Sequence, residues 1–291
     1  MESDDFDGAA EKGGERYGDQ IFAHTRDKER ERLDAISRTY DPVTHQHIEA
    51  LGLRPGMRCL DAGSGTGELA LWLITHAAPR EVVALDRSTV YLDRLRAPNL
   101  RVVAADLTAE DLSETLEPAS FDLVHARFLL MHLPERDRVL QRLVSWLAPG
   151  GVLLLGDSID LATPTSRESA VRAAFAALWS SLRSTIGTDI TWVREYPARL
   201  ASLGLVDQGL DVFLPAIIPG APISRFWQLT FEQTRAKMIA TGHVSSTELD
   251  RVLALFETPG FAELSPGMIS AWARHPDPIG FHHMPESPSI I

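Results

Sequence analysis

Leu60-Asp61-Ala62-Gly63-Ser64-Gly65-Thr66-Gly67-Glu68 is the stretch on which the reading of this chain turns. It follows a short apolar run at 57–62 and opens a pattern with helical spacing at 68–76. Glycines between a strand and a helix permit positive φ and let a ligand approach the backbone. The start of the helix offers unpaired N–H groups to a carboxylate or phosphate. The spacing separates two ligand classes. A dinucleotide fingerprint, G-x-G-x-x-G, needs glycine at position 68, where Glu68 stands. Asp61, two residues before Gly63, would repel a pyrophosphate but can meet an ammonium. The loop therefore favours a ligand with a zwitterionic end. A tight turn that binds nothing is the plainer alternative.

Outward from this loop the chain alternates. Strands are expected at 81–86, 101–106, 121–127 and 151–157, and helices at 89–96 and 135–147. Strands of this length separated by helical patterns indicate βαβ units and a parallel sheet. The runs MRCLDA, EVVALD, RVVAAD and GVLLLGD are apolar throughout, as in strands covered on both faces. Later, 166–186, 196–203, 221–240 and 246–256 read as helices, and 205–214 and 268–274 as two more strands. Before the loop, apolar spacing over 19–51 predicts two or three helices, with Asp41-Pro42 as the break. Asp86 and Asp106 each close a strand, and open α/β sheets bind ligands outside the carboxyl ends of their strands. Asp86 can accept from both hydroxyls of a ribose. Asp106, or the backbone beside it, can accept from an adenine amino group. Each also fits as the cap of the following turn.

LDAGSGTGELA, VVALD, VVAADL and FDLVHARFLLMHLPERDRVLQRLVSWLAPGGVLLLGD together resemble the class I S-adenosylmethionine-dependent methyltransferases. The resemblance is close over 53–157 and loose over 205–274. It implies an α/β fold: a Rossmann-like, doubly wound, seven-stranded sheet. The last strand is antiparallel and lies between the fifth and sixth, and a helical cap is added. It implies S-adenosylmethionine as cofactor and S-adenosylhomocysteine as product. Gly63, Ser64, Gly65 and Gly67 would approach the methionine part, with Asp61 near its ammonium. Asp86, followed by Arg87, would meet the ribose, and Asp106 with Leu107 would frame the adenine. Arg127 would lie beside the cofactor through its backbone. The domain plan is a flexible tail at 1–18, N-terminal helices at 19–52 and a cofactor-binding core at 53–215 and 266–275. A helical substrate cap at 216–265 and a C-terminal tail at 276–291 complete it.

Methyl transfer needs a base only where the nucleophile must lose a proton. His132, after the fourth strand, is the candidate base or substrate contact, and packing of the Pro134 turn is its structural alternative. His125 reads as a core residue, and His243 as a group reaching down from the cap. Asp157 either faces the substrate or caps a turn. Tyr17 and Phe22 sit on a segment that could fold over the cofactor. Phe175, Trp179, Trp192, Tyr196, Phe226, Trp227 and Phe231 could enclose a small organic molecule. No metal-ligand spacing is present, and His282-His283 reads as a solvated pair.

The chain has 291 residues and a net charge of −12, which disfavours nucleic acid as partner. The single cysteine, Cys59, excludes an internal disulfide. No run reaches the length of a membrane span, and the acidic start is unlike a signal peptide, so a cytoplasmic protein is expected. A homo-oligomer is left open. The expected function is methyl transfer to an O or C atom of a small, fairly apolar acceptor, in secondary metabolism. The alternative is a cyclase that binds the same cofactor without methylating.

Overall fold

A computed structural model describes residues 15–112 and 115–277. The tail positions 1–14 and 278–291, His282 and His283 among them, lie outside the described residues. The apolar runs form β1 (Arg58–Ala62), β2 (Glu81–Asp86), β3 (Leu100–Ala104), β4 (Phe121–Arg127), β5 (Leu147–Ile159), β6 (Val206–Phe213) and β7 (Gly267–Arg274). These seven make one sheet in the order β3-β2-β1-β4-β5-β7-β6. β7 runs antiparallel to both β5 and β6, as the resemblance implied. The central strands are buried because helices cover both faces. One face carries a cluster with Leu60, Val83, Val124 and Leu153, the other a cluster with Cys59, Val82, Leu123 and Leu154. That alternation along the same strands is the pleat expressed as burial.

Two expectations need correction. The region 19–51 holds one long helix, α1 (Glu29–Ala50), with Pro42 inside it. An internal proline costs about 3 kcal/mol. Tertiary packing on both sides of Pro42 outweighs that cost. The Tyr40 hydroxyl donates to the Pro266 carbonyl at 3.2 Å, and Asp41 and Thr44 receive the Arg127 guanidinium. Residues 89–96 form no α-helix either, only a single 3₁₀ turn at Leu92–Arg94. Leu95 is already extended, Leu92 and Leu95 pack around Gly67, and Pro98 disfavours helix at the residue before it.

The remaining helices are α2 (Glu68–Ala77), α3 (Arg136–Ser145), α4 (Ser169–Ile186), α5 (Tyr196–Ser202), α6 (Pro222–Ala240) and α7 (Ser246–Leu255). α1, α4, α6 and α7 share a hydrophobic cluster of their own, with Tyr40, Phe175, Trp227, Phe231 and Phe256 at its centre. The helical layer beside the carboxyl ends of the strands is thus built from the N-terminal helix as well as from 216–265.

Candidate active site

A cavity of about 220 Å³ lies over the carboxyl ends of β1 to β4. Its floor is the glycine loop. Gly63 and Gly65 have φ of +76° and +54°, a region that glycine enters without a Cβ penalty. A Cβ on Gly65 would meet nothing within 4 Å, so this backbone is open to a ligand. Gly67 differs. It does not line the cavity, and a Cβ there would stand 2.4 Å from Leu95 Cδ1. Its role is close packing at the start of α2.

The other predicted cofactor residues, Asp61, Ser64, Asp86, Arg87, Asp106, Leu107 and Arg127, all line this cavity, as does His132. Asp86 closes β2 and accepts from Gly65 N–H at 2.9 Å and Ser88 N–H at 3.0 Å. Burial raises its carboxyl above the ordinary value, against the pull of those two N–H groups. Asp61 and His125 are cross-strand neighbours on β1 and β4, with Oδ1 and Nδ1 2.8 Å apart and both side chains buried. His125, read as a core residue, is therefore also part of the cavity wall. Asp106 uses one oxygen to accept from the N–H and hydroxyl of Thr108, while the other meets Arg16. Burial opposes its ionisation, but these donors hold the carboxyl below its usual range.

From the segment before α1, Arg16, Tyr17, Gly18 and His24 line the cavity. Arg16 pairs with Asp106, and the Arg87 guanidinium donates to the Tyr17 carbonyl and the Asp19 carboxylate, each at 2.6 Å. His24 meets Ser88 Oγ at 2.9 Å. Arg87 thus fastens this segment, and Arg127, through Asp41 and Thr44, fastens α1 against the end of β4.

Behind the cavity lies a second, inner pocket of about 50 Å³. Tyr17, Arg32, Ile36, Phe128 and His132 line both spaces and form the boundary. Phe128 follows β4 with φ +51°, an unfavourable conformation for a bulky residue, and its N–H donates to the Gly156 carbonyl at 2.7 Å. That turn directs the chain toward His132. His132 Nδ1 is 2.8 Å from Thr188 Oγ1, and its ring lies 4.8 Å from that of Tyr17. Burial, then Arg32 and Arg136, push the imidazole down to about 3, so it is neutral in ordinary buffers.

Of the expected aromatic residues, Trp179, Phe226 and Trp227 reach the inner pocket. Phe175 and Phe231 pack behind Trp227. Trp192 and Tyr196 belong to the cluster on the sheet. Asp157 lines neither space: it is buried and accepts from the Tyr196 hydroxyl. His243 is exposed and lines neither space, so it does not reach down to the site. Sequence reasoning passed over Glu29 and Arg32 because ERERL reads as a solvated charge run. In the fold the two form a buried pair. Among the described residues no group of His, Cys, Asp or Glu could hold a metal, and no helix is long and apolar enough to cross a membrane.

Fold and cavity together define a doubly wound α/β protein with a glycine- and acid-lined cavity at the carboxyl ends of its strands. The comparisons agree. A family profile described as a methyltransferase domain matches residues 60–153. Methyltransferase GfsG of Streptomyces halstedii is 29% identical over 180 residues, 60% of this chain and 61% of that protein. The chain thus spans less than two thirds of that relative's length. The 27-O-demethylrifamycin SV methyltransferase of Amycolatopsis mediterranei is 26% identical over 81% of this chain and 83% of the relative. The YcgJ protein of Bacillus subtilis shares the fold, with TM-score 0.54 and 16% identity over 80% of this chain and 97% of that one. Residues 60–153 thus match a methyltransferase-domain family, and these findings together support a class I S-adenosylmethionine-dependent methyltransferase. The cavity suits that cofactor: open backbone at Gly65 and acids at or just after the ends of β1, β2 and β3 match a cationic ligand with ammonium, diol and amine groups.

Proposed function

We propose that this chain moves the methyl group of S-adenosylmethionine to an O or C atom of a small, fairly apolar acceptor of secondary metabolism. The observation that carries this reading is the meeting, at His132, of a cavity lined by acids and glycine backbone with a smaller apolar pocket. Gly63, Ser64, Gly65 and Asp61, the last braced by His125, would hold the methionine end. Asp86, with Arg87 beside it, would take the ribose. Asp106 is engaged by Thr108 and Arg16, so the backbone around Leu107 carries more of the adenine contact. The cofactor supplies a methyl group already activated on sulfur, so positioning provides much of the rate. Arg127 helps by holding α1, one wall of both spaces, against β4.

His132 would relay to solvent the proton that the acceptor gives up, since burial and the two arginines keep its own imidazole neutral. In the tautomer that donates from Nδ1 to Thr188 Oγ1, 2.8 Å away, Nε2 keeps its lone pair for this task. A small apolar pocket and an acidic chain both favour a small molecule over nucleic acid. The named acceptor of the Amycolatopsis relative is a small molecule methylated on oxygen, which supports the same class here. A cytoplasmic setting belongs to the same proposal, supported by the single, buried Cys59. Calorimetric titration with S-adenosylmethionine tests the reading. Saturable binding at one site is expected, and no binding at high micromolar cofactor would overturn it.

A further inference from the structure

The boundary between the two spaces holds hydrogen-bonding capacity that the protein leaves unused. Arg32 is buried, and its Nε and Nη2 donate to both oxygens of Glu29 at 2.9 and 2.8 Å. Nη2 also donates to the Tyr17 hydroxyl at 2.5 Å. Nη1 makes no hydrogen bond among the described residues. The Tyr17 hydroxyl, which accepts from Arg32, likewise has no acceptor there for its own hydrogen. Both side chains line both spaces, and the Tyr17 ring packs on His132. The boundary thus offers two kinds of donor, Nη1–H and phenol O–H, beside one base.

From this donor set, and resting on the proposed methyl transfer, we infer that the acceptor is an uncharged hydroxy-carbonyl compound. Its carbonyl oxygen takes Arg32 Nη1–H and Tyr17 O–H, and its hydroxyl, the methylated group, faces His132. A carboxylate fits less well. Glu29 already neutralises Arg32, and an added anion would leave a net negative charge in a buried, largely apolar pocket. Donors left without partners cost binding, so the site rejects an analogue that lacks the carbonyl. The step balances simply: the methyl group passes from sulfur to the acceptor oxygen, the S–C electron pair stays on sulfur, and the hydroxyl proton leaves by way of His132 to solvent.

The test compares meta-hydroxyacetophenone with meta-ethylphenol, binding to the full chain saturated with S-adenosylhomocysteine. The ketone is expected to bind at least about tenfold more tightly. Tyr17→Phe, which removes one of the two donors and also the acceptor of one Arg32 Nη2 hydrogen, should lower the ratio to about threefold. Arg32→Lys, which keeps the charge beside Glu29, should do the same if it folds. S-adenosylhomocysteine affinity should stay within about threefold in both variants. Equal binding of the two probes, or of neither, to the wild-type chain overturns the inference while leaving the methyl-transfer reading standing. Parallel loss of S-adenosylhomocysteine affinity also overturns it, because the donors then serve the cofactor carboxylate. Failure of the wild-type chain to bind S-adenosylhomocysteine refutes the underlying reading instead.

Discussion

Replacing Asp86 by alanine separates a cofactor contact from a mere turn. In the structure its carboxylate accepts two backbone N–H groups, from Gly65 at 2.9 Å and Ser88 at 3.0 Å. It therefore both shapes the glycine loop and faces the cavity. Alanine removes the acceptor from both N–H groups. Both residues line the cavity, so water can replace part of what is lost, and the stability cost is about 1–2 kcal/mol. A ribose diol would lose a charged acceptor as well. Hydrogen bonds to charged groups contribute about 1.5–3 kcal/mol, which weakens S-adenosylhomocysteine binding by roughly ten- to hundredfold. Calorimetry gives the affinity and urea denaturation the stability. If stability falls while affinity stays unchanged, Asp86 only caps the turn and the ribose assignment is refuted.

Other consequences are equally measurable. His132→Ala should lower turnover by roughly 10²- to 10⁴-fold while S-adenosylhomocysteine binding is kept, and full activity would make His132 structural. Because its imidazole titrates near 3, the pH–rate profile should show no acid limb around the ordinary histidine value. Asp157, pushed up to about 7 chiefly by burial against its Tyr196 bond, holds its proton more tightly folded than unfolded. Its contribution to stability is complete below the unfolded carboxyl value and is lost as pH rises toward 7. Asp157→Asn should therefore gain roughly 2–3 kcal/mol on the wild type between pH 5 and 8, and parallel denaturation curves would contradict this. Pro42→Ala restores a helical N–H inside α1 and should stabilise the fold by about 1–3 kcal/mol, whereas a true helix break at 41–42 would give no gain.

The sheet was legible because its strands are apolar on both faces, so EVVALD and FDLVHAR state their class without help from neighbours. The glycine loop and Asp86 were legible because their chemistry is local: positive φ, and a carboxylate closing a strand. What escaped depends on distant partners. Pro42 reads as a break until Pro266 and Arg127 are brought against the residues around it. Arg87 lines the cavity as a cofactor neighbour would, but its bonds to Tyr17 and Asp19 are not visible until that segment folds back over β2. Arg32 reads as surface charge until α1 is buried against α6, where Gln233 donates to Glu29 at 3.0 Å. His125 was assigned to the core on its place in β4. That place is correct, but the strand register adds Asp61 as its partner.

The central claim is methyl transfer to a small molecule, and label transfer tests it most directly. The full chain is incubated with methyl-labelled S-adenosylmethionine and a fraction of small hydroxylated organic compounds, and the products are followed by mass spectrometry. The predicted result is label in a small molecule heavier than its precursor by one added methyl in place of hydrogen, with S-adenosylhomocysteine formed in equal amount and both lost in His132→Ala. Cofactor bound without label leaving it, or a product isomeric with its precursor, would contradict the account.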